Sequence, residues 1–207
     1  MHEGAPDTVN AQNAQTAKRP IGEFTYKDYL SWPAKPRYEL IDGMALAMAP
    51  PLIAHQQVVF ELAGQIRNAL EGKSCRGFTG PVGVRLPAHN ESDEFIRTVF
   101  EPDLVVVCDE NKIDAKGIRG APDFIIEVLS PSTAAFDTIE KRKAYGAAGV
   151  QELWLINIPY GIVTRFTQAD AFSNGENLYA EGSIDVHLGF ALNLDFMKAL
   201  REVEGQF

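Results

Sequence analysis

Two acidic residues stand at matching positions in consecutive apolar runs, Asp103 in EPDLVVVCD and Glu127 in APDFIIEVLS. Both runs have the length and β-branched content of buried strands. Burying a polar group without a partner costs about 2 to 7 kcal/mol, and burying a charge costs more. A bound divalent cation would compensate these carboxylates, because hard oxygen ligands suit Mg²⁺ or Mn²⁺. The pattern therefore predicts a metal site at Asp103 and Glu127; the alternative is a strand-end carboxylate that caps a turn or a helix.

Length and composition indicate an ordinary globular protein. Of the 207 residues, 45% are hydrophobic and 23% are charged, so we expect one domain over residues 21–207. Residues 1–20 are rich in Ala, Asn, Gln, Thr and Pro, which predicts a disordered N-terminal arm. The sequence has no apolar run near the roughly 18 residues that a membrane span needs. The N-terminal segment lacks the features of a secretory signal, so we expect a cytoplasmic location.

The charge balance limits the kinds of partner. The formal net charge of -9 disfavours a broad basic face for nucleic acid but leaves room for a local basic cleft. The densest basic cluster is Lys141-Arg142-Lys143. Cys75 and Cys108 share no metal-type spacing, and Cys108 is expected to be a buried apolar residue and not a disulfide partner. The four histidines are scattered, so they predict no zinc site.

The elements that must position Asp103 and Glu127 alternate between helix and strand. The patterns predict a helix start at 25–30, a hairpin at 38–48 turned at Asp42-Gly43, a helix at 55–70, strands at 82–86, 104–107 and 124–126, a helix from Asp137 to Gly149, strands at 152–156 and 161–166, and a last strand and helix at 184–188 and 194–203. The strand-helix-strand unit in the middle of the chain favours a mixed α/β sheet.

One face of the helix after the Glu127 strand carries a third candidate. Asp137, Lys141 and Tyr145 follow each other at four-residue steps and so share that face. Because a helix that returns from the end of a strand begins near that end, Lys141 could reach both carboxylates. The alternative is an Asp137–Lys141 ion pair on a solvated face, worth about 0.3 to 0.5 kcal/mol.

Taken in order, these motifs resemble a known family. The segments YELIDG, EPDLVVV, GAPDFIIEVLSPST and AGVQELWLI, with the 137/141/145 ladder, are similar to restriction endonucleases of the Uma-two family, within the PD-(D/E)XK nuclease superfamily. The resemblance covers about residues 23–190 and implies an α/β, restriction-endonuclease-like fold, a central mixed β-sheet flanked by helices. The sequence departs from the superfamily motif at Leu129, where a lysine is usual, and in the Uma-like pattern Lys141 supplies that group. Asn157 stands where the family tends to carry an aspartate.

The resemblance implies a metal-dependent endonuclease that hydrolyses DNA phosphodiester bonds in a local cleft. Asp103 and Glu127 would hold Mg²⁺ or Mn²⁺, and Lys141 would orient water or stabilise the transition state. Glu39 resembles the upstream acidic position of the family and could reach the metal through water, or form a strand-exposed salt bridge. His55 could approach the same cleft, or cap or pack its helix.

Two other functions stay open. The acidic charge and the lack of a separate sequence-reading domain also fit an inactive nuclease-fold protein that acts as a dimeric binding module. A phosphoesterase for smaller nucleotides is the third possibility. Because duplex cleavage requires two sites, we expect a homodimer. Its interface is predicted at aromatic residues of the late strands, which could instead fill the second face of the sheet: Trp154, Tyr160, Phe166 and Phe172.

Overall fold

Two six-stranded mixed sheets form the frame of the protein. The computed structural model describes residues 22–130, 137–179, 182–188, 190–201 and 203. In spatial order, sheet A consists of β2 (Met44–Ala47), β1 (Tyr38–Ile41), β5 (Val99–Phe100), β4 (Val84–Arg85), β8 (Gly117–Arg119) and β7 (Ile113–Asp114). Sheet B consists of β12 (Glu176–Tyr179), β11 (Ile162–Thr167), β10 (Glu152–Asn157), β9 (Phe124–Val128), β6 (Leu104–Val107) and β3 (Arg76–Thr79).

A separate hairpin and the helices complete the described fold. The hairpin is formed by β13 (Ser183–His187) and β14 (Ala191–Asp195), and the helices are α1 (Tyr26–Tyr29), α2 (Ile53–Ala69), α3 (Arg142–Ala148, preceded by a π-helical turn over Asp137–Lys141) and α4 (Phe196–Arg201). In this part of the chain, the helices are all too short or too polar to cross a membrane. The predicted α/β architecture with mixed sheets is confirmed, although two sheets replace the one central sheet that we predicted.

Strand β6 shows why the two central runs are apolar throughout. Leu104 and Val106 pack with α2 on one face of sheet B, while Val105 and Val107 pack against sheet A on the other. Side chains that alternate along a strand meet an apolar layer on both faces here. The side chains between the two sheets therefore form a second hydrophobic core, which we call the inter-sheet core. The candidate site lies at its edge, next to the N-terminal end of β6.

Local sequence explains the elements that carry the other candidate residues. Helix α2 buries Val58, Leu62 and Ile66 at four-residue steps, as predicted for the helix over 55–70. The β1–β2 hairpin turns at Asp42 and Gly43, whose φ angles of 46° and 82° suit an Asp-Gly turn. Gly149, with φ of 93°, ends α3 where the sequence predicted a stop.

The C-terminal region departs from the sequence pattern. Ala191–Asp195 is strand β14, paired with β13, so the helix predicted over 194–203 begins only at Phe196. Strand β12 was not predicted, because its side chains Glu-Asn-Leu-Tyr lack an apolar run. The predicted disordered arm, residues 1–20, lies outside the described residues.

Cys75 and Cys108 form a disulfide, so the prediction that Cys108 is unpaired was wrong. Strands β3 and β6 are antiparallel with Arg76 opposite Val107, and the next position outward sets the two cysteines opposite each other. Their separation of 33 residues hides this proximity in the sequence, because the pairing depends on strand register.

Candidate active site

Strand register brings the two predicted metal ligands side by side. β6 and β9 are antiparallel, with Leu104 opposite Ile126 and Val105 opposite Ile125. One further step in the same register sets Asp103 opposite Glu127. Directly opposed residues point to the same face of a sheet, which here is the face toward sheet A. The two carboxylates therefore lie together at the end of the central strands.

Asp103 accepts a hydrogen bond that also explains its place at the strand end. Its Oδ2 lies 2.8 Å from the backbone nitrogen of Val128. At the opposite end of the same strand pair, Asp123 Oδ2 accepts from the backbone N–H of Cys108 at 2.7 Å. Each aspartate follows a proline, precedes its own strand, and accepts a hydrogen bond from the C-terminal end of the neighbouring strand. Asp103 therefore does act as a cap, as the alternative proposed, in addition to lying opposite Glu127. Asp123 makes the same kind of cap but has no acidic residue opposite it.

His55, in the first turn of α2, contacts the Asp103 carboxylate. Its Nε2 lies 3.1 Å from Asp103 Oδ2, and its Nδ1 lies 3.4 Å from Nε2 of Gln56. A neutral ring that accepts at Nδ1 from the amide would donate from Nε2 to Asp103. Within the described residues, the other oxygen of Asp103 accepts no hydrogen bond. One carboxylate oxygen is therefore anchored and the other is available.

Lys141 is buried among three carboxylates. Its Nζ lies 2.9 Å from Glu39 Oε1, 3.2 Å from Glu127 Oε1 and 3.4 Å from Asp137 Oδ1. These four side chains come from sheet A, sheet B and the π-helical turn. The alternative of a solvated Asp137–Lys141 pair is wrong, since both side chains are buried. Lys141 therefore ties the two sheets to the helix at the rim of the inter-sheet core.

Tyr145 supplies the second contact to Glu127. Its hydroxyl donates to Glu127 Oε1 at 2.7 Å, and its ring packs edge-on against Phe100 in the inter-sheet core. Within the described chain, Glu127 Oε2 receives no hydrogen bond. Like Asp103, Glu127 has one oxygen held by the protein and one available.

Glu39 is held in place by the backbone of the segment that precedes Asp103. Its Oε1 accepts from the backbone N–H of Glu101 at 2.9 Å. The Glu101 side chain in turn accepts from the Tyr29 hydroxyl and from Arg37, each at 3.0 Å. The strand-exposed salt bridge considered for Glu39 is therefore wrong in one respect, because its partner Lys141 is buried with it.

The cluster carries more negative than positive charge. Burial raises the pKa of Glu127 well above its ordinary value; Lys141 lowers it, and Asp103, Glu39 and Asp137 raise it again. Burial lowers the pKa of Lys141, but the surrounding carboxylates outweigh this effect and the pKa is raised. Lys141 is thus charged. Because its one ammonium group is shared by three carboxylates, it does not fully offset the negative charge around Glu127.

The donor set could serve a hard divalent cation whose other ligands are water and substrate. The described residues contain no group of three or more His, Cys, Asp or Glu arranged to hold a metal ion. Mg²⁺, however, is commonly held by one or two carboxylates with waters and substrate phosphates completing its octahedron. The available oxygens of Asp103 and Glu127, together with the uncompensated negative charge, satisfy that simpler requirement.

Two strand-end carboxylates with a buried lysine from the following helix define a protein of the restriction-endonuclease-like class. The Uma2 family model, which carries the description "Putative restriction endonuclease", matches residues 26–195. The chain belongs to this family.

Individual proteins are also similar to this chain. "Uncharacterized protein slr1290" from Synechocystis sp. is 27% identical over 134 residues, covering 64% of this chain and 67% of its own length. The crystal structure of a "putative nuclease belonging to DUF820" from Anabaena variabilis ATCC 29413 matches with a TM-score of 0.67 and 19% identity, covering 86% of this chain and 99% of its own. The structural match shows a shared fold.

The remaining predicted positions lie as follows. Leu129, at the motif's usual lysine position, is half-buried and packs on the inter-sheet core. Asn157 ends β10 opposite Ile162. Of the four aromatic residues predicted at a dimer interface, Tyr160 is exposed. The other three are buried inside the protein and cannot form an interface: Trp154, Phe166 and Phe172.

Three further residues belong to the site and were not predicted there: Asp137, Tyr145 and Glu101. The four-residue ladder through Lys141 was a usable signal for Asp137 and Tyr145. For Glu101 the only local signal was its position two residues before Asp103.

Proposed function

We propose that this protein is a metal-dependent endonuclease that hydrolyses DNA phosphodiester bonds with Mg²⁺ or Mn²⁺. The observation that supports this proposal best is the meeting of Asp103, Glu127 and Lys141 at one strand end, each anchored by separate contacts. Asp103 and Glu127 each also keep one oxygen that accepts no hydrogen bond within the described residues.

Asp103 and Glu127 would hold the cation through those available oxygens. When bound, a divalent cation lowers the pKa of coordinated water and neutralises charge that develops on the phosphate. His55 and the Val128 N–H fix the orientation of Asp103, and Tyr145 fixes that of Glu127. Such contacts to ligands typically change metal affinity or activity by 10- to 100-fold when removed.

Lys141 would act as a fixed positive charge. Its ammonium group is within 3.4 Å of three carboxylates, so it is held in place and stays protonated. A lysine in this state can stabilise a transferring phosphoryl group electrostatically or orient the attacking water. Glu39 and Asp137 hold Lys141 in place, and their role is therefore positional.

The test is a cleavage assay with a matched pair of variants. Purified protein is incubated with supercoiled plasmid, linear duplex and short single-stranded DNA, with Mg²⁺, with Mn²⁺ and with EDTA. Asp103→Asn should lose cleavage by at least about 100-fold. Asp123→Asn removes the charge from the equivalent strand cap at the other end of β6 and β9, and should retain cleavage.

The pair separates catalysis from capping. Asp103→Asn weakens two hydrogen bonds to a charged acceptor, from Val128 and His55, and Asp123→Asn weakens one, so the expected losses of stability are about 2 and about 1 kcal/mol. Equal loss of cleavage in both would show that strand-end capping, and not metal binding, explains the effect of Asp103. No metal-dependent cleavage by the folded wild type would reject the nuclease and favour the binding module; cleavage of only short nucleotides would favour the phosphoesterase.

A further inference from the structure

A continuous apolar run lies on the protein surface. Residues 44–53 read MALAMAPPLI and contain no charged or hydrogen-bonding side chain; none is fully buried, although Leu46 packs partly against the inter-sheet core. Leu52 and Ile53 are 65% and 74% exposed. Phe60, 82% exposed, lies two helical turns after Ile53 on the same face of α2. We name residues 44–53 together with Phe60 the apolar strip. Contiguous exposed apolar surface is typical of an interaction site.

The strip includes an unprotected sheet edge. β2 is the end strand of sheet A, and in the described structure β1 is its only partner strand. Proteins usually protect such edges with charged side chains, prolines or bulges. Met44–Ala47 has no charged residue and no proline, so its free main-chain edge lies beside apolar side chains.

We propose that the apolar strip is a homodimer interface in which the β2 strands of two copies pair antiparallel about a two-fold axis. A strand that pairs with its own copy in this way is self-complementary, and the assembly closes at two subunits. An axis between Ala45 and Leu46 sets Met44 opposite Ala47 and Asp42 opposite Ala49. No carboxylate then faces another carboxylate across the pair.

Charge favours a second copy over a nucleic acid at this surface. The whole chain has a net charge of -9, so two copies repel each other over most orientations. The strip is an uncharged region where they can meet without opposing carboxylates. A nucleic acid needs basic side chains for its phosphates, and the strip has none.

The size of the strip sets the expected affinity. A standard interface uses about 20 to 30 residues on each side, and the eleven strip residues supply roughly half of that number. We therefore expect a dimer that dissociates in the micromolar range. Two site residues lie next to the strip: Glu39 pairs with Leu46 across β1 and β2, and His55 follows Ile53 by two residues.

Sedimentation velocity of the full chain over about 1 to 100 µM tests the proposal. The wild type should shift from 22.8 kDa toward twice that mass as the concentration rises. Ala47→Lys and the double variant Ile53→Lys/Phe60→Lys place charges on the strip and should each weaken the dimer by at least about tenfold. These positions are exposed, so circular dichroism should show an unchanged fold.

The control is Tyr179→Lys, which places the same charge on another exposed apolar residue, in the end strand β12 of sheet B. It should dimerise as the wild type does. A monomer at every concentration would overturn the proposal, as would a dimer that all strip variants retain or that Tyr179→Lys weakens equally. The dimer does not depend on nuclease activity, so an inactive protein would leave this test unaffected.

Discussion

Glu127→Gln separates the catalytic and structural meanings of the buried cluster. The amide is nearly the same size as the carboxylate, and its oxygen can still accept from the Tyr145 hydroxyl and from Lys141. Lys141 also keeps Glu39 and Asp137 within 3.4 Å. The variant should therefore fold, while the ligand charge proposed for the metal is lost.

The expected stability change follows from these contacts. Two hydrogen bonds change from a charged to a neutral acceptor, which costs about 1 kcal/mol each. Against this, one buried charge is removed, and its desolvation costs several kcal/mol. Repulsion from Asp103, Glu39 and Asp137 is also relieved. We expect a net stabilisation of about 1 to 2 kcal/mol without metal at pH 8, or a melting temperature higher by about 2 to 8 °C.

The sign of the pH dependence provides an internal check. The folded state raises the pKa of Glu127, so the stability associated with its protonated form is present at low pH and is lost as pH rises through that raised pKa. The wild type should therefore fall behind the variant between mildly acidic and alkaline pH. Near pH 4, where this carboxyl is protonated in both states, the advantage of the variant should disappear.

The assay pairs thermal melting without metal with plasmid cleavage in Mg²⁺ or Mn²⁺. Cleavage should fall by more than about 100-fold. A variant that melts well below the wild type at pH 8, or that cleaves normally, would refute the reasoning: the first result would make Glu127 a structural residue, and the second would remove it from the site.

Three further predictions test the supporting contacts. Tyr145→Phe removes one donor to Glu127 and should reduce cleavage by about 10- to 100-fold with a loss of about 1 kcal/mol in stability, measured by kinetics and melting. His55→Ala should weaken Mn²⁺ binding by about tenfold in calorimetric titration, because Asp103 loses an orienting contact, and His55→Gln should recover part of it. Reduction of the disulfide, which closes a 33-residue separation, should lower the free energy of unfolding by about 3 to 4 kcal/mol, seen in urea titrations with and without dithiothreitol.

Local patterns were enough to predict the central part of the site. The apolar runs around Asp103 and Glu127 had to be neighbouring buried strands, and the four-residue ladder placed Lys141 on the helix that follows. Each inference used residues close in sequence or a general rule for connecting strands. The same local reasoning predicted that Lys141 could reach Glu127, and the two side chains are in contact.

What could not be predicted depends on how distant segments pack. The family resemblance pointed to Glu39, but its local sequence does not indicate that sheet A lies against sheet B and brings this residue to Lys141, 102 positions later. The pairing of Cys75 with Cys108 depends in the same way on the register of β3 and β6. Trp154 is of a residue type that is enriched at interfaces, but it is buried in the hydrophobic core that also contains α2.

The ion cluster around Lys141 also has a consequence for the order of events during synthesis. Its members are separated in sequence, from Glu39 in the first hairpin to Tyr145 in α3, and they meet only after both sheets have packed. Contacts between such distant positions form late, because the intervening chain must first be ordered. A growing chain that has emerged only as far as β9 contains both aspartate caps but no lysine between the carboxylates. If the protein cuts DNA, an unfinished copy of this length therefore lacks part of the proposed site.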